Sequence, residues 1–342
     1  MLGTKIKTMR RVHSDSPVEL YRRGEKDKNP YVYAEGDYAG FQLRIIAMYS
    51  GDKNMIHAFR DLGGDLHSMT AVAAFHPFND ITLEEFMKHK KEQPYKHERK
   101  AAKGINFGIC FGMSAFTYAS RLKLDWTPEE ARKYSTDLKL RPILDKNGRP
   151  DYFLTSATQM RASYFKAYPS VAEWHKRQND LGRRDGYIRS PFGCVRMVPQ
   201  LTYVGSDDSD RNSRYNKSRL LSNLENVTKN SYVQTHEATI IMRSMRRFLE
   251  WAEENRRPED RPVICGTIHD AVSYYIKMND LEAVQKLHEF FEDDYPENLG
   301  VPLSYEFEYA VPRDESNPTY WGFGYEEGEG PMFENKNKEE ER

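Results

Sequence analysis

The sequence predicts an α+β chain, with strand patterns near both ends and a long, mostly helical stretch between them. Three observations carry this. Residues 31–36 (YVYAEG) are aromatic and β-branched and stop at a Gly, and residues 262–277 and 303–309 have strand character again. Between them, 53–190 and 217–250 are dominated by helical periodicity. With 342 residues, the chain has room for two domains or for one large domain carrying an insertion, and its 17 Phe, 22 Tyr and 4 Trp supply a core.

The elements follow in order. After the first strand, Leu43, Ile46, Ala47 and Tyr49 keep a helical period until Ser50-Gly51-Asp52 stops it. Helices are predicted at 53–60, 65–75, 82–90, 97–113, 127–137 and 155–184, with Pro and Gly punctuation between them. Residues 217–250 give another long helix that opens in a basic, polar stretch. Residues 262–277 (PVICGTIHDAVSYYIK) form two strands joined tightly at His269-Asp270. Residues 280–294 form an amphipathic helix. Leu303, Tyr305, Phe307 and Tyr309 alternate with Ser304, Glu306 and Glu308, the signature of a half-buried strand.

Net charge is only −1, but the charge is segregated. The first 30 residues are basic, and 88–103 carry seven Lys/Arg against two acidic residues. The tail reverses this, with seven Glu against three basic residues over 325–342. Basic segments in a neutral chain fit an anionic partner, although a solvated face has the same composition. The tail, 326–342, is predicted to be disordered. The sequence has no 18-residue apolar run and no apolar stretch behind the basic N-terminus, so neither a membrane span nor a secretory signal is expected. Cys110, Cys194 and Cys265 are odd in number and far apart, which argues against a disulfide framework or zinc site and fits a reducing interior.

Two carboxylates stand out. Asp37 ends a strand and begins a helix, and Asp270 sits at a tight turn between two hydrophobic strands. Either alone is what a turn uses for its own hydrogen bonds. Brought together by an antiparallel sheet, the pair could hold two Mg²⁺ ions for an in-line phosphoryl displacement. A third segment is ERKAAKGINFGICFGMSAF. On a helix over 98–112, Arg99, Lys103, Phe107 and Phe111 recur every fourth residue and share one stripe. Two cations followed by two aromatics suit a nucleoside triphosphate, charges toward phosphates and rings toward sugar and base. Core aromatics beside solvated cations would have the same spacing.

DYAGFQLR, RKAAKGINFGICFG and IHDA, in this order, resemble the three polymerase motifs of A-family DNA polymerases, the bacterial DNA polymerase I type. Asp65-Leu66-His67-Ser68 resembles the family's fingers segment with a phosphate-contacting His. YFKAYPSVAEWHKRQNDLGRRDGYIRSPFGCVRMVP, NSYVQTHEA and MRRVHSDSP extend the likeness from about residue 8 to about residue 322. The resemblance implies DNA synthesis from dNTPs on primer–template DNA with two Mg²⁺ ions. Asp37 and Asp270 would hold the metals, with the Tyr38 carbonyl as a further ligand. His67, Arg99 and Lys103 would grip the triphosphate, Phe107 would stack on sugar and base, and Phe111 would lie beside the nascent pair. Arg11 (or Arg10, one residue away), Asn230, Gln234 and His269 would contact DNA.

Three positions depart from the family pattern: Gln42 for a Glu, Phe111 for a Tyr, and Ala271 for the Glu after the second Asp. The resemblance further implies a palm (1–55 and 233–325), helical fingers (56–232) and neither thumb nor exonuclease domain. A separate subunit carrying the thumb, with or without an exonuclease, is therefore the expected partner, as in a split viral polymerase. The expected setting is the cytoplasm of a bacterial or virus-infected bacterial cell. Two rivals are a single-subunit RNA polymerase, against which Phe107 speaks, and a noncatalytic polymerase relative, against which the retained carboxylates speak.

Overall fold

The strand Tyr31–Tyr38 runs through the middle of a five-stranded antiparallel sheet. The computed structural model describes residues 31–78, 80–203, 211–277, 280–292, 300–312 and 321–325. Arg11, Arg10 and the acidic tail lie outside the described residues. The chain divides into two compact units. One contains the described residues up to Phe41, those of 237–292 and those from Leu303 onward; the other contains 42–236 and 300–302.

In the first unit, Ala271–Lys277 and then Val263–Ile268 flank the central strand on one side. Tyr305–Pro312 and then Trp321–Tyr325 flank it on the other. Pairing runs from Tyr31 opposite Lys277 to Gly36 opposite Val272, and from Tyr33 opposite Ala310 to Tyr38 opposite Tyr305. Every residue of Ala271–Ile276 is buried, which is why this strand reads as a continuous apolar run with no alternation. Aromatic packing fixes the sheet. Phe291, at the end of the Leu281–Phe291 helix, stacks on Tyr305 with ring centroids 4.4 Å apart. The Tyr38 hydroxyl donates to the Phe291 carbonyl at 2.8 Å, and the Tyr274 and Tyr305 hydroxyls bond each other at 2.7 Å.

The second unit is helical. Asp52 shows how locally its boundaries are set: one carboxylate oxygen accepts from the Asn54 and Met55 amides and caps Lys53–Asp61, while the other accepts from the Ser170 amide. The helix predicted at 97–113 spans Tyr95–Ile109. Gly112 adopts φ +82°, and the Met113 amide bonds back to the Gly108 carbonyl, so the helix ends at Ile109 and Phe111 lies in the closing turn. The single helix predicted at 155–184 is two, Tyr152–Ala167 and Pro169–Asp185. Pro169 has no amide to donate and starts the second helix at its first turn, where none is needed. Also beyond the sequence reading are the Ser114-capped helix Ala115–Asp125 and two short hairpins at 143–151 and 187–197. The long helix runs Arg211–Asn255 and contributes residues to both units.

Gly36 is a position where close approach excludes a side chain. A Cβ there would lie 2.2 Å from the Tyr305 ring, which is buried and held by Tyr274 and Phe291. Gly36→Ala is therefore expected to lower stability by ~1–3 kcal/mol, the usual cost of overpacking, in a denaturant titration of the full chain.

Candidate active site

Asp37 is the next-to-last residue of the central strand and is exposed. The last pair on one side is Gly36 with Val272, so continuing the register places Asp37 opposite Ala271, one residue after Asp270. His269 and Asp270 form the two-residue connection between Val263–Ile268 and Ala271–Lys277. His269 takes φ +57°, the left-handed conformation that such a tight connection demands. Asp270 is half-buried and His269 exposed. The sheet thus brings the two carboxylates to the same end of adjacent strands. On the other side Asp37 lies directly opposite Glu306, so those side chains share a face. Glu306 entered the sequence reading only as a polar residue of a half-buried strand; only register reveals its place beside Asp37.

Among the described residues, no three or more His, Cys, Asp or Glu side chains gather into a cage for a metal. Asp37, Asp270 and Glu306 offer carboxylate oxygens at this edge, beside the exposed His269. Mg²⁺ fits such an open set, because it keeps waters and substrate phosphates as ligands and needs only one or two carboxylates.

In the helical unit, His67, Arg99, Lys103 and Phe107 come together between the Leu66–Phe75 and Tyr95–Ile109 helices. The His67 and Phe107 ring centroids are 5.7 Å apart, and Lys103 Nζ stands 6.0 Å from the Phe107 centroid. Asp65 caps the first helix by accepting from the Ser68 amide at 3.2 Å. It also accepts from Arg99 Nη2 at 3.0 Å and from Lys90 Nζ at 2.9 Å. Burial alone would raise the Asp65 pKa, but the bonds from Arg99 and Lys90 outweigh it and hold the carboxyl far below the usual range. For His67, burial and then the nearby Arg99 charge push the pKa down to about 4, so the ring is neutral near pH 7.

Phe111 is half-buried in the turn after Ile109, so the helix itself carries only three members of the expected four-residue stripe. Gln42 is half-buried near the start of Phe41–Ser50. Asn230 and Gln234 lie four residues apart on the long helix; Gln234 is exposed, and Asn230 Oδ1 is buried with no hydrogen-bond partner among the described residues. Lys229, beside them, was not singled out from sequence. It is buried, and desolvation lowers its pKa to about 8.

The chain matches the family model described as DNA polymerase family A over residues 24–141 and 152–313, and it belongs to that family. Thermostable DNA polymerase I of Thermus filiformis is 28% identical over 301 residues, which cover 85% of this chain and 28% of that protein. The DNA polymerase of Mycobacterium phage D29 is 31% identical over 210 residues, covering 61% and 26%. The POL domain of Pol1 from M. smegmatis, solved in complex with DNA primer-template and dNTP, shares the fold with a TM-score of 0.57 at 23% identity. That match covers 81% of this chain and 39% of that one. The fold is a polymerase palm with fingers, and the chain spans about a quarter of the length of these curated relatives. Among the described residues, no helix is long and apolar enough to cross a membrane.

His76 links the helix that carries His67 to the helix that carries Arg99 and Lys103. It follows Leu66–Phe75 and bonds Asp80 at 2.7 Å and, through Nε2, Glu98 of the Tyr95–Ile109 helix at 2.9 Å. The Glu98 bond and then the Asp80 bond raise its pKa to about 9. A raised folded pKa gives stability that is complete below the unfolded value of about 6.5 and lost as pH rises through 9. Denaturant titrations at increasing pH should show this loss, and His76→Gln should remove that part of the pH dependence.

Proposed function

We propose that this chain is the catalytic part of a template-directed DNA polymerase, in which the primer 3′-hydroxyl attacks the α-phosphate of a dNTP and pyrophosphate leaves. The observation that carries the reading is the placement of Asp37 and Asp270 at one end of adjacent strands, in a chain of this family. Those carboxylates, with the Tyr38 carbonyl, would hold two Mg²⁺ ions. Bound there, the ions would ease deprotonation of the attacking hydroxyl and offset charge on the leaving phosphates.

The chain's own residues position the rest. Arg99 and Lys103 meet the triphosphate, Arg99 through its planar fork, with His67 beside them as an N–H donor. Phe107 stacks on sugar and base, and Phe111 lies beside the nascent pair. Asn230, Gln234, His269 and Arg11 track the primer–template. Residues 1–55 and 233–325 serve as palm and 56–232 as fingers. Gln42 and Phe111 are one coupled change. A Glu at 42 would hydrogen-bond a Tyr hydroxyl at 111; beside Phe that charge would lack its partner, and Gln keeps the bulk without it.

Asp37→Ala and Asp270→Ala are each expected to nearly abolish primer extension while leaving duplex affinity largely intact, because phosphate contacts dominate DNA binding. Retention of activity to within about tenfold, ~1.4 kcal/mol, would remove the metal assignment. Arg99→Lys should fall well short of wild type in dNTP use; equal activity would exclude a bidentate phosphate contact. Gln42→Glu should impair the enzyme, and Phe111→Tyr should partly repair it. A double-mutant cycle that comes out additive within ~0.5 kcal/mol would show that the positions are uncoupled.

A further inference from the structure

Behind His67 runs a chain of buried hydrogen bonds whose direction can be worked out atom by atom. Asn106 is fully buried on the Tyr95–Ile109 helix. Its Nδ2 lies 2.8 Å from His67 Nδ1 and 3.4 Å from the Leu66 carbonyl oxygen. A carbonyl oxygen only accepts, so the Asn106 atom facing both partners must be the amide nitrogen. The opposite atom, Oδ1, accepts from the Thr70 hydroxyl at 2.8 Å. Thr70 has a single hydroxyl proton and spends it there, so its 3.0 Å contact with the Tyr168 hydroxyl is one in which Tyr168 donates. Thr70 and Tyr168 are buried, at 1% exposure each, so water does not compete for these bonds.

The direction is therefore fixed from Tyr168 to Thr70 to Asn106 to His67. Its end is a constraint on the imidazole: Nδ1 receives an N–H and must be a lone pair, which leaves the proton on Nε2. Protonating Nδ1 would set two donors against each other, or require the Asn106 amide to flip. A flip would aim Oδ1 at the Leu66 carbonyl oxygen and set two acceptors against each other.

We propose that Asn106, oriented by Thr70 and Tyr168, is a positioning residue that locks His67 as a neutral Nε2–H donor for a phosphate oxygen of the incoming triphosphate. The proposal rests on the reading of His67 as a triphosphate contact. It assigns the work differently from a cationic His: Arg99 and Lys103 supply the charge, and His67 supplies a hydrogen bond of fixed direction. The charged groups around the ring fit this division. Arg99 and Lys103 disfavour a third cation, and the nearby Asp65 carboxylate is already engaged by Arg99 and Lys90.

The tautomer can be read without any activity, from imidazole ¹⁵N–¹H correlations of the histidine-labelled full chain, with His67 assigned by its loss in His67→Gln. Wild type should show the Nε2–H form at neutral pH, and Asn106→Asp should move the proton to Nδ1, because the carboxylate can only accept. Thr70→Val should relax the lock, and Thr70→Ser should preserve it, which separates orientation from folding. In primer extension, Asn106→Asp should raise the dNTP KM about tenfold, one hydrogen bond's worth, with a smaller change in kcat. His67→Gln, a neutral donor, should retain more dNTP affinity than His67→Lys or His67→Ala. An Nδ1–H or doubly protonated ring in wild type, or better function of His67→Lys than of His67→Gln, would overturn the proposal with the polymerase reading intact. A dNTP KM unchanged in His67→Ala would overturn the triphosphate contact itself, and the proposal with it.

Discussion

The register of the central strand is the constraint on which the sheet unit depends. Tyr31–Tyr38 is hydrogen-bonded on both edges, and each pairing fixes which side chains share a face. A slip of one residue would turn Asp37 inward and Tyr38 outward, placing a carboxylate where Phe41, Phe291 and Tyr305 now pack on the Tyr38 ring. The cost of burying that charge, added to the exposure of the aromatics, leaves one register. That register brings Asp37 level with the connection that carries Asp270. The same constraint explains Gly36, where the Tyr305 ring occupies the space of a side chain.

In the helical unit the organising feature is a set of buried and half-buried polar groups satisfied by one another. Asp65 caps one helix while holding Arg99 of another, and Asn106 and Thr70 link the same two helices from inside. Such networks are costly when any member is missing, because the remaining partners cannot recover their bonds with water. They give direction where hydrophobic packing gives only proximity. His67 illustrates the difference: Phe107 places the ring, and Asn106 determines where its proton sits.

Much of this was legible in sequence where the signal is local. The strand 31–36, the helix 65–75, the tight turn at His269-Asp270 and the alternation through Tyr305 and Phe307 each follow from short-range preference and period. The errors were also local in origin. Helical periodicity continues through Tyr168-Pro169 and into Phe111, but Pro169 starts a new helix and Gly112 turns the chain back, so the pattern outlasts the backbone that could display it. The Ser114 cap and the 187–197 hairpin were missed because their signals are a few residues long and sit among stronger helical ones.

The sequence by itself determined the residue types and the order of the segments, and with them the membership in DNA polymerase family A: Asp37 after a strand, the Arg99–Lys103–Phe107 spacing, and Asp270 in a turn. Only the tertiary structure decided what stands beside these residues. Glu306 lies nearly 270 positions from Asp37 and Thr70 lies 36 from Asn106. Nothing in local propensity encodes either pairing. Strand register and helix contact set them, because burial forces each polar atom to find its partner across the fold.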